Sequence, residues 1–441
     1  MNEQEFQKKY LPRIKKVLSF VLKSPYSDFY RKKYKGRIKP QKIKTYKDFQ
    51  RIHSLTKKEI IETSLGKRLF IEKSKISHYT FTSGSTNKKL PTILAHSYLE
   101  DIVSKGGKYV FNEEELVNLG VKNFLVLFPP LAVIPIAINM TPRKFTVSVQ
   151  SDTKNLKLTA LIVKETSIQG IITSPTILYF FTKELTRINF DKSAIKWIRL
   201  TGEYCTTQKF DFFKSQFPNA KITFSYGSAE LASGWLASGY QCKYMYNVSP
   251  SFYHINPIYM IETINDNQEI AAENEPGELI HTDLFPGRAF PLIRFKTGDI
   301  GTTERRKCRC ANDLFFRLTG RKNFDILKFS GIILRSDIVE MALKDFNDIL
   351  EPNFQMHVYE KSANGKIMPQ LVLKLSLKEN SIISENFKSE VIESVSDKLF
   401  LASQKNLKYF IDNKIFLPLE IEFVETEQTN ETKTKNIISH L

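Results

Sequence analysis

Tyr79-Thr80-Phe81-Thr82-Ser83-Gly84-Ser85-Thr86-Asn87-Lys88-Lys89-Leu90-Pro91-Thr92 is the stretch around which the chain is organised. Ile76, Tyr79 and Phe81 favour an extended strand, and the chain then breaks into hydroxyl side chains around one glycine and two lysines. A strand followed by such a loop suits a phosphate cradle. Hydroxyls and backbone N–H groups face anionic oxygens, Gly84 permits close approach, and Lys88 or Lys89 adds charge. It is not a Walker A loop, because no second glycine precedes a Gly-Lys-Ser/Thr. Alone, the same letters also fit a polar surface loop.

Working outward, alternating strand-like and helical runs follow. Phe124–Phe128, Gly170–Thr173, Ile195–Thr201 and Ala220–Ser225 are read as strands. Thr176–Leu185, begun at Pro175, and Gln208–Phe217 are read as helices. Strands alternating with helices predict an α/β sheet with ligand loops at the strand ends. From Ile258 to Phe329 the pattern turns to short strands and turns, and beyond Gly331 helix, strand, helix and strand are expected. Upstream of the loop, residues 5–35 show helical periodicity broken at Ser24-Pro25. Thr45–Gln50 and Thr56–Thr63 read as short helices, and Tyr98–Phe111 as another after the loop.

Several motifs arrive in a fixed order after the loop: Thr201-Gly202-Glu203-Tyr204, Tyr226-Gly227-Ser228-Ala229-Glu230, Gly277-Glu278-Leu279, Pro291-Leu292-Ile293-Arg294-Phe295-Lys296-Thr297-Gly298-Asp299-Ile300, Gly320-Arg321, and Lys433 near the end. Together with Thr-Ser-Gly-Ser-Thr they resemble the signatures of the adenylate-forming superfamily (acyl-CoA synthetases, luciferase, adenylation domains), with the phenylacetate–CoA ligase-like branch the most similar. The resemblance implies an α/β fold with a large N-terminal domain, 1–320, and a small mobile α+β domain, 321–441. It implies ATP-dependent activation of a carboxylic acid to an acyl-adenylate, then transfer to coenzyme A or a carrier-protein pantetheine. Thr82, Ser83, Gly84, Ser85, Thr86 and Lys88 would hold phosphates, with Ser228 as a further phosphate contact. Gly202, Glu203 and Tyr226 would lie along the adenine, and Gly227 would join the nucleotide site. Asp299 would bridge the ribose hydroxyls, a task a carboxylate suits because it accepts from two donors at once. Arg321 would join the nucleotide site, Asn323 would be the hinge, Glu230 would bind Mg²⁺, and Lys433 would be the catalytic lysine, with Lys435 as the alternative register. The chain departs from the pattern at Asn87, Ala229, Asn323 and Thr432.

Cys242, His254, Cys308 and Cys310 match a tetrahedral structural Zn²⁺ set in residue type, and some branch members carry a similar one. Cys205 is left over and is expected to be packed. Aromatic and apolar residues in Phe124–Ile138 and Leu231–Tyr240 suggest an aryl or other apolar acid.

The net charge of +18 is uneven, for residues 1–58 hold 18 Lys/Arg against four Asp/Glu. A basic segment favours an anionic partner. An acidic acyl carrier protein is the expectation, and nucleic acid the disfavoured rival, needing a stacking platform from Tyr26, Phe29, Tyr30, Tyr34 and Tyr46. An acceptor other than coenzyme A, adenylyl transfer without thioester formation, and a decayed nucleotide binder are the remaining alternatives. The apolar run Phe124–Ile138 carries three prolines and is too short to span a bilayer. The acidic, polar start is no secretory leader, so a cytoplasmic location is expected.

Overall fold

The computed structural model describes residues 2–81, 92–100, 113–128, 146–150, 152–153, 155–228, 230–231, 236–237, 252–255, 258–265, 267–306, 314–322, 325–329, 332–363, 366–402, 405–425 and 435–440. Its centre is a six-stranded sheet in the order Thr146–Gln150, Asn123–Leu127, Gly170–Thr173, Trp197–Thr201, Lys221–Tyr226 and Leu236–Ala237. The first five strands are parallel and the last is antiparallel. Gly170–Thr173 and Trp197–Thr201 are buried along their whole length, as expected for parallel strands covered on both faces. The helices that cover them start on side-chain caps. Ser174 Oγ accepts from Ile177 N at 3.4 Å before Pro175–Arg187, and Thr206 Oγ1 accepts from Lys209 N at 3.2 Å before Thr207–Gln216. Both helices leave the C-terminal ends of strands, so the connecting loops gather at one edge.

A second, antiparallel sheet of five strands follows, in the order Tyr259–Ile264, Gly277–Asp283, Phe295–Arg305, Leu314–Arg321 and Phe252–His254. The N-terminal helices are bound to this sheet. Helix Leu11–Lys23 buries Leu11, Ile14, Val17, Leu18 and Val21 along one face. Tyr30 donates to the Pro291 carbonyl at 2.6 Å, and Tyr46 donates to Glu262 at 3.0 Å. Leu55 exchanges backbone bonds with Arg294 and Lys296 at 3.0 and 2.8 Å. Thr45 and Thr56 each open a helix with a complete capping box.

These contacts overturn the stacking platform imagined for nucleic acid. Tyr30, Tyr34 and Tyr46 are buried and Phe29 packs on the core, leaving Tyr26 alone exposed. Arg31, Lys32, Lys35 and Arg37 of this segment are exposed instead, whereas Lys33 and Lys57 turn inward to Glu59 and Glu230.

The strand Ile76–Phe81 forms as expected and ends where the hydroxyl-rich stretch, outside the described residues, begins. It pairs antiparallel with Ile93–Ser97, a partner strand the sequence reading did not include. Past residue 331 the expected helix–strand–helix–strand order is corrected. A long hairpin, Leu350–Ala363 with Lys366–Leu377, forms the middle of a four-stranded sheet. Glu420–Phe423 and Ile437–Ser439 add to its edges in parallel, and three helices pack beside it. One apolar core runs from Phe6 to Leu318 and a separate one from Ile332 to Ile437. The chain is thus a large N-terminal α/β body followed by a smaller α+β body. Among the described residues, no helix is long and apolar enough to cross a membrane.

Candidate functional site

The loop after Trp197–Thr201 turns at Gly202, whose φ of +91° is open to glycine at little cost. The turn sends Glu203 back to the first turn of Pro175–Arg187, where its carboxylate accepts the Thr176 N–H. Tyr204 and Lys209 face the same pocket, while Cys205 is packed away at 0% exposure, as expected.

The neighbouring strand delivers Ser225, Tyr226, Gly227 and Ser228 to that pocket. Tyr226 is ringed by Tyr253 and Phe316, at 5.8 and 6.0 Å between centroids. Its hydroxyl donates to Asp299 Oδ2 at 2.6 Å. Burial, then the Asp299 charge, pushes that phenol well above its ordinary value, so it stays a donor at neutral pH. Asp299 also meets Arg321 Nε at 3.5 Å, and its N–H donates to Thr297 Oγ1 at 3.1 Å. The guanidinium of Arg321 is raised from its usual value, chiefly by that carboxylate.

Asp325 completes this corner. Arg321 N donates to its Oδ2 at 2.8 Å, and Asn436 Nδ2 donates to its Oδ1 at 2.7 Å. Gly320 is obligatory there, since a Cβ would stand 2.7 Å from the Asp325 Cβ. Burial lifts the Asp325 carboxyl from 3.8 to about 6. Asn436 also lines the pocket, so the chain just beyond Lys433 and Lys435 closes on it.

Glu230 stands apart from this wall. Burial alone would raise its carboxyl, but the Lys57 ammonium, 3.1 Å from Oε1, holds it ionised with a value of about 2. Its carbonyl accepts from Arg288 Nη2 at 3.0 Å. The same guanidinium grips Asp283 through Nη1, at 2.8 and 2.7 Å, and Glu100 through Nε at 2.8 Å. From Glu100 the network runs to His96, 3.5 Å away, and on to Thr80 Oγ1, 2.6 Å from His96 Nε2. One buried cluster therefore ties Glu230 to the strand Ile76–Phe81.

Seven residues expected at the nucleotide site, Gly202, Glu203, Tyr226, Gly227, Ser228, Asp299 and Arg321, thus line one pocket. Thr82, Ser83, Gly84, Ser85, Thr86, Lys88, Asn323 and Lys433 lie outside the described residues. So do Cys242, Cys308 and Cys310, which leaves His254 of the expected zinc set, buried with its ring 4.1 Å from that of Phe315. Among the described residues, no group of three or more His, Cys, Asp or Glu is placed to hold a metal ion. Most of Phe124–Ile138 and Leu231–Tyr240, expected to touch the acid, is likewise outside. The sequence reading missed Lys209, Ser225, Tyr253, Asp325 and Asn436 at the pocket, and quoted Tyr204 only as part of its motif. Ser225 and Asp325 had a signal in their closeness to Tyr226 and Arg321, but Lys209 and Tyr253 had none.

No family model matches the sequence, and neither does any curated protein. Solved structures do match over the whole chain. A 2-hydroxyisobutyryl-CoA ligase in its postadenylation state, in complex with 2-HIB-AMP, aligns with a TM-score of 0.72 at 15% identity, covering 99% of this chain and 90% of that one. The same ligase in its thioesterification state, with 2-HIB-AMP and CoA, aligns at 0.56 and 15% identity over 100% and 90% of the two chains. The amide bond synthetase McbA from Marinactinospora thermotolerans aligns at 0.55 and 14% identity over 88% and 71%. The chain has the fold of these acyl-CoA ligase and amide bond synthetase structures.

Proposed function

We propose that the chain is an AMP-forming acid ligase: it binds ATP in the pocket of Gly202, Tyr226, Asp299 and Arg321 and activates a small carboxylic acid. The observation that carries this reading is the convergence of four separate motifs on one pocket, with Asp299 held by Tyr226 and Arg321. Asp299 keeps acceptor capacity for a ribose diol, and the rings of Tyr204 and Tyr226 offer faces for a base. In the first half-reaction an oxygen of the acid attacks the α-phosphorus of ATP, and the bond to the β-phosphate oxygen breaks to release pyrophosphate. In the second, a thiol sulfur takes the acyl carbon, AMP leaves, and the thiol proton passes to solvent.

Glu230 is a buried, ionised oxygen donor, which suits Mg²⁺. That ion would neutralise phosphate charge. Lys57 keeps Glu230 ionised and Arg288 fixes its backbone. Lys433 would neutralise the charge shared by the acid and the α-phosphate, with Asn436 anchoring the following strand to Asp325. The division at residue 320, motion about Asn323, the phenylacetate–CoA ligase-like branch, an aryl or apolar acid, and a Zn²⁺ on Cys242, His254, Cys308 and Cys310 belong to the same reading. The acceptor is a thiol in this proposal. McbA, an amide bond synthetase of the same fold, makes an amine the alternative.

The test is pyrophosphate release across a panel of carboxylic acids, with and without coenzyme A. Lys433→Ala is expected to slow adenylate formation by about two to three orders of magnitude, the scale for one preorganised electrostatic group, while sparing thioester formation from supplied acyl-adenylate. Lys435→Ala is expected to change either step far less. No acid-dependent pyrophosphate release from any acid would end the proposal.

A further inference from the structure

Lys209 is a buried cation that the proposed chemistry leaves unused. It is the third residue of helix Thr207–Gln216 and only 4% exposed, yet it lines the nucleotide pocket. Two features make a lysine costly there. The first turn of a helix is the positive end of its dipole, which disfavours a cation. Burial of an ammonium is unfavourable unless its donors are matched.

They are poorly matched. Among the described residues, Nζ makes one hydrogen bond, to Thr176 Oγ1 at 3.5 Å, the outer limit for such a contact. Among the described residues, no carboxylate comes within ion-pair distance. Asp325 and Glu340 feel its charge only from farther away. An ammonium has three donors, so at least two point at no acceptor among the described residues.

A second orphan lies on the same wall. Ser225 is 1% exposed, lines the pocket, and its Oγ has no hydrogen-bond partner. Two unmatched polar groups beside the rings of Tyr204, Tyr226 and Tyr253 mark a place where a flat, polar-edged molecule supplies the missing partners.

We propose that Lys209 is a nucleotide-binding residue, its ammonium donating to acceptor atoms on the base of the bound nucleotide while Ser225 Oγ bonds the same edge. The inference rests on the reading of this pocket as a nucleotide site. It commits to the base, because Lys209 follows the Gly202–Tyr204 turn and shares its aromatic wall. The phosphate end, by contrast, is marked by Glu230, Lys57 and the strand entering residue 82. The competing role is structural, with Lys209 serving only to offset Asp325 and Glu340.

Calorimetric titration of the full chain with adenosine, AMP and ATP–Mg²⁺ separates these roles. Lys209→Met is expected to weaken all three by about ten- to hundredfold, the range for a hydrogen bond to a charged group. Its melting temperature should be no lower than that of the parent chain. Ser225→Ala, which removes one oxygen and leaves the helix untouched, is expected to weaken all three by about three- to tenfold. It tests the same edge independently of packing at 209. Unchanged affinity in both variants overturns the proposal and leaves the nucleotide reading standing. Loss confined to AMP and ATP overturns the assignment to the base. Unchanged affinity in Lys209→Met with a lower melting temperature shows the structural role. A parent chain that binds none of the three ligands sinks the nucleotide reading, and this inference with it.

Discussion

Arg288 and Lys209 are both withdrawn from water, at 3% and 4% exposure, yet they are furnished in opposite ways. Every nitrogen of the Arg288 guanidinium has a partner at 3.0 Å or closer: two carboxylates and the Glu230 carbonyl. Lys209 has, among the described residues, one distant hydroxyl. The carboxylates nearby record the same difference. Burial would raise Glu100, but Arg288 and His96 outweigh it and hold it at about 2. Around Lys209 burial wins, lifting Asp325 to about 6 and Glu340 to about 7. A planar fork matched on all sides is a brace, whereas a flexible ammonium left open is a receptor. The same chain thus uses one buried cation to hold its site still and, on our proposal, another to meet what enters it.

The comparison breaks first at the brace. Arg288→Met would strand Asp283 and Glu100 in the interior, and removing one partner of a buried ion pair costs about 3–5 kcal/mol. Urea unfolding followed by tryptophan fluorescence should show that loss. A cost below about 1 kcal/mol would mean the cluster is not a brace.

Next comes the corner that joins Asp299 to the C-terminal body. Gly320→Ala puts a methyl group 2.7 Å from the Asp325 Cβ, against backbone that is pinned by Arg321 and Asn436. A cost of about 1–3 kcal/mol is expected, the range for overpacking, together with weaker AMP binding as Arg321 shifts from Asp299. Wild-type affinity with wild-type stability would show that the corner yields freely.

The smallest effect is in pH, and it runs in opposite directions at the two clusters. Glu100 has a folded value below its unfolded one, near 4.5, so its contribution is present above that value and is lost as the pH falls towards about 2. Asp325 and Glu340 have raised values, so theirs is complete below their unfolded values of 3.8 and 4.5. It is lost as the pH rises through about 6 and about 7. Glu340 joins the two bodies by accepting the Gln208 N–H at 2.7 Å. Hydrogen exchange in Ser336–Leu343, corrected for its intrinsic rate, should therefore quicken between pH 5 and 8. Glu340→Gln should flatten that rise. An equal slope in the variant would shift the origin elsewhere.

What the sequence made legible was local. Pro291–Ile300 and Tyr226–Glu230 combine a residue type with a turn, and both can be read without knowing what lies across the pocket. Gly202, Tyr226, Asp299 and Arg321 come together as those motifs implied. Lys209 is illegible because in a helix spaced like any other only its tertiary neighbours show that it is buried. Asp325 gains its meaning from Asn436, 111 residues away. The hairpin Leu350–Ala363 with Lys366–Leu377 was missed although Met356 and Val358, and Leu371, Leu373 and Leu375, alternate as half-buried strands do. Mixed polar flanks at both ends hid its length.

Tyr30 meets its partner Pro291 across 261 residues, and that spacing matters at birth. At roughly 5–20 residues per second, about ten seconds to a minute of translation separate the two. Through that interval the apolar face of Leu11–Lys23 and the rings of Tyr30, Tyr34 and Tyr46 have no sheet to cover them. The first sixty residues are therefore the part of the nascent chain most in need of a chaperone, and about two-thirds of the chain must be made before their partners exist.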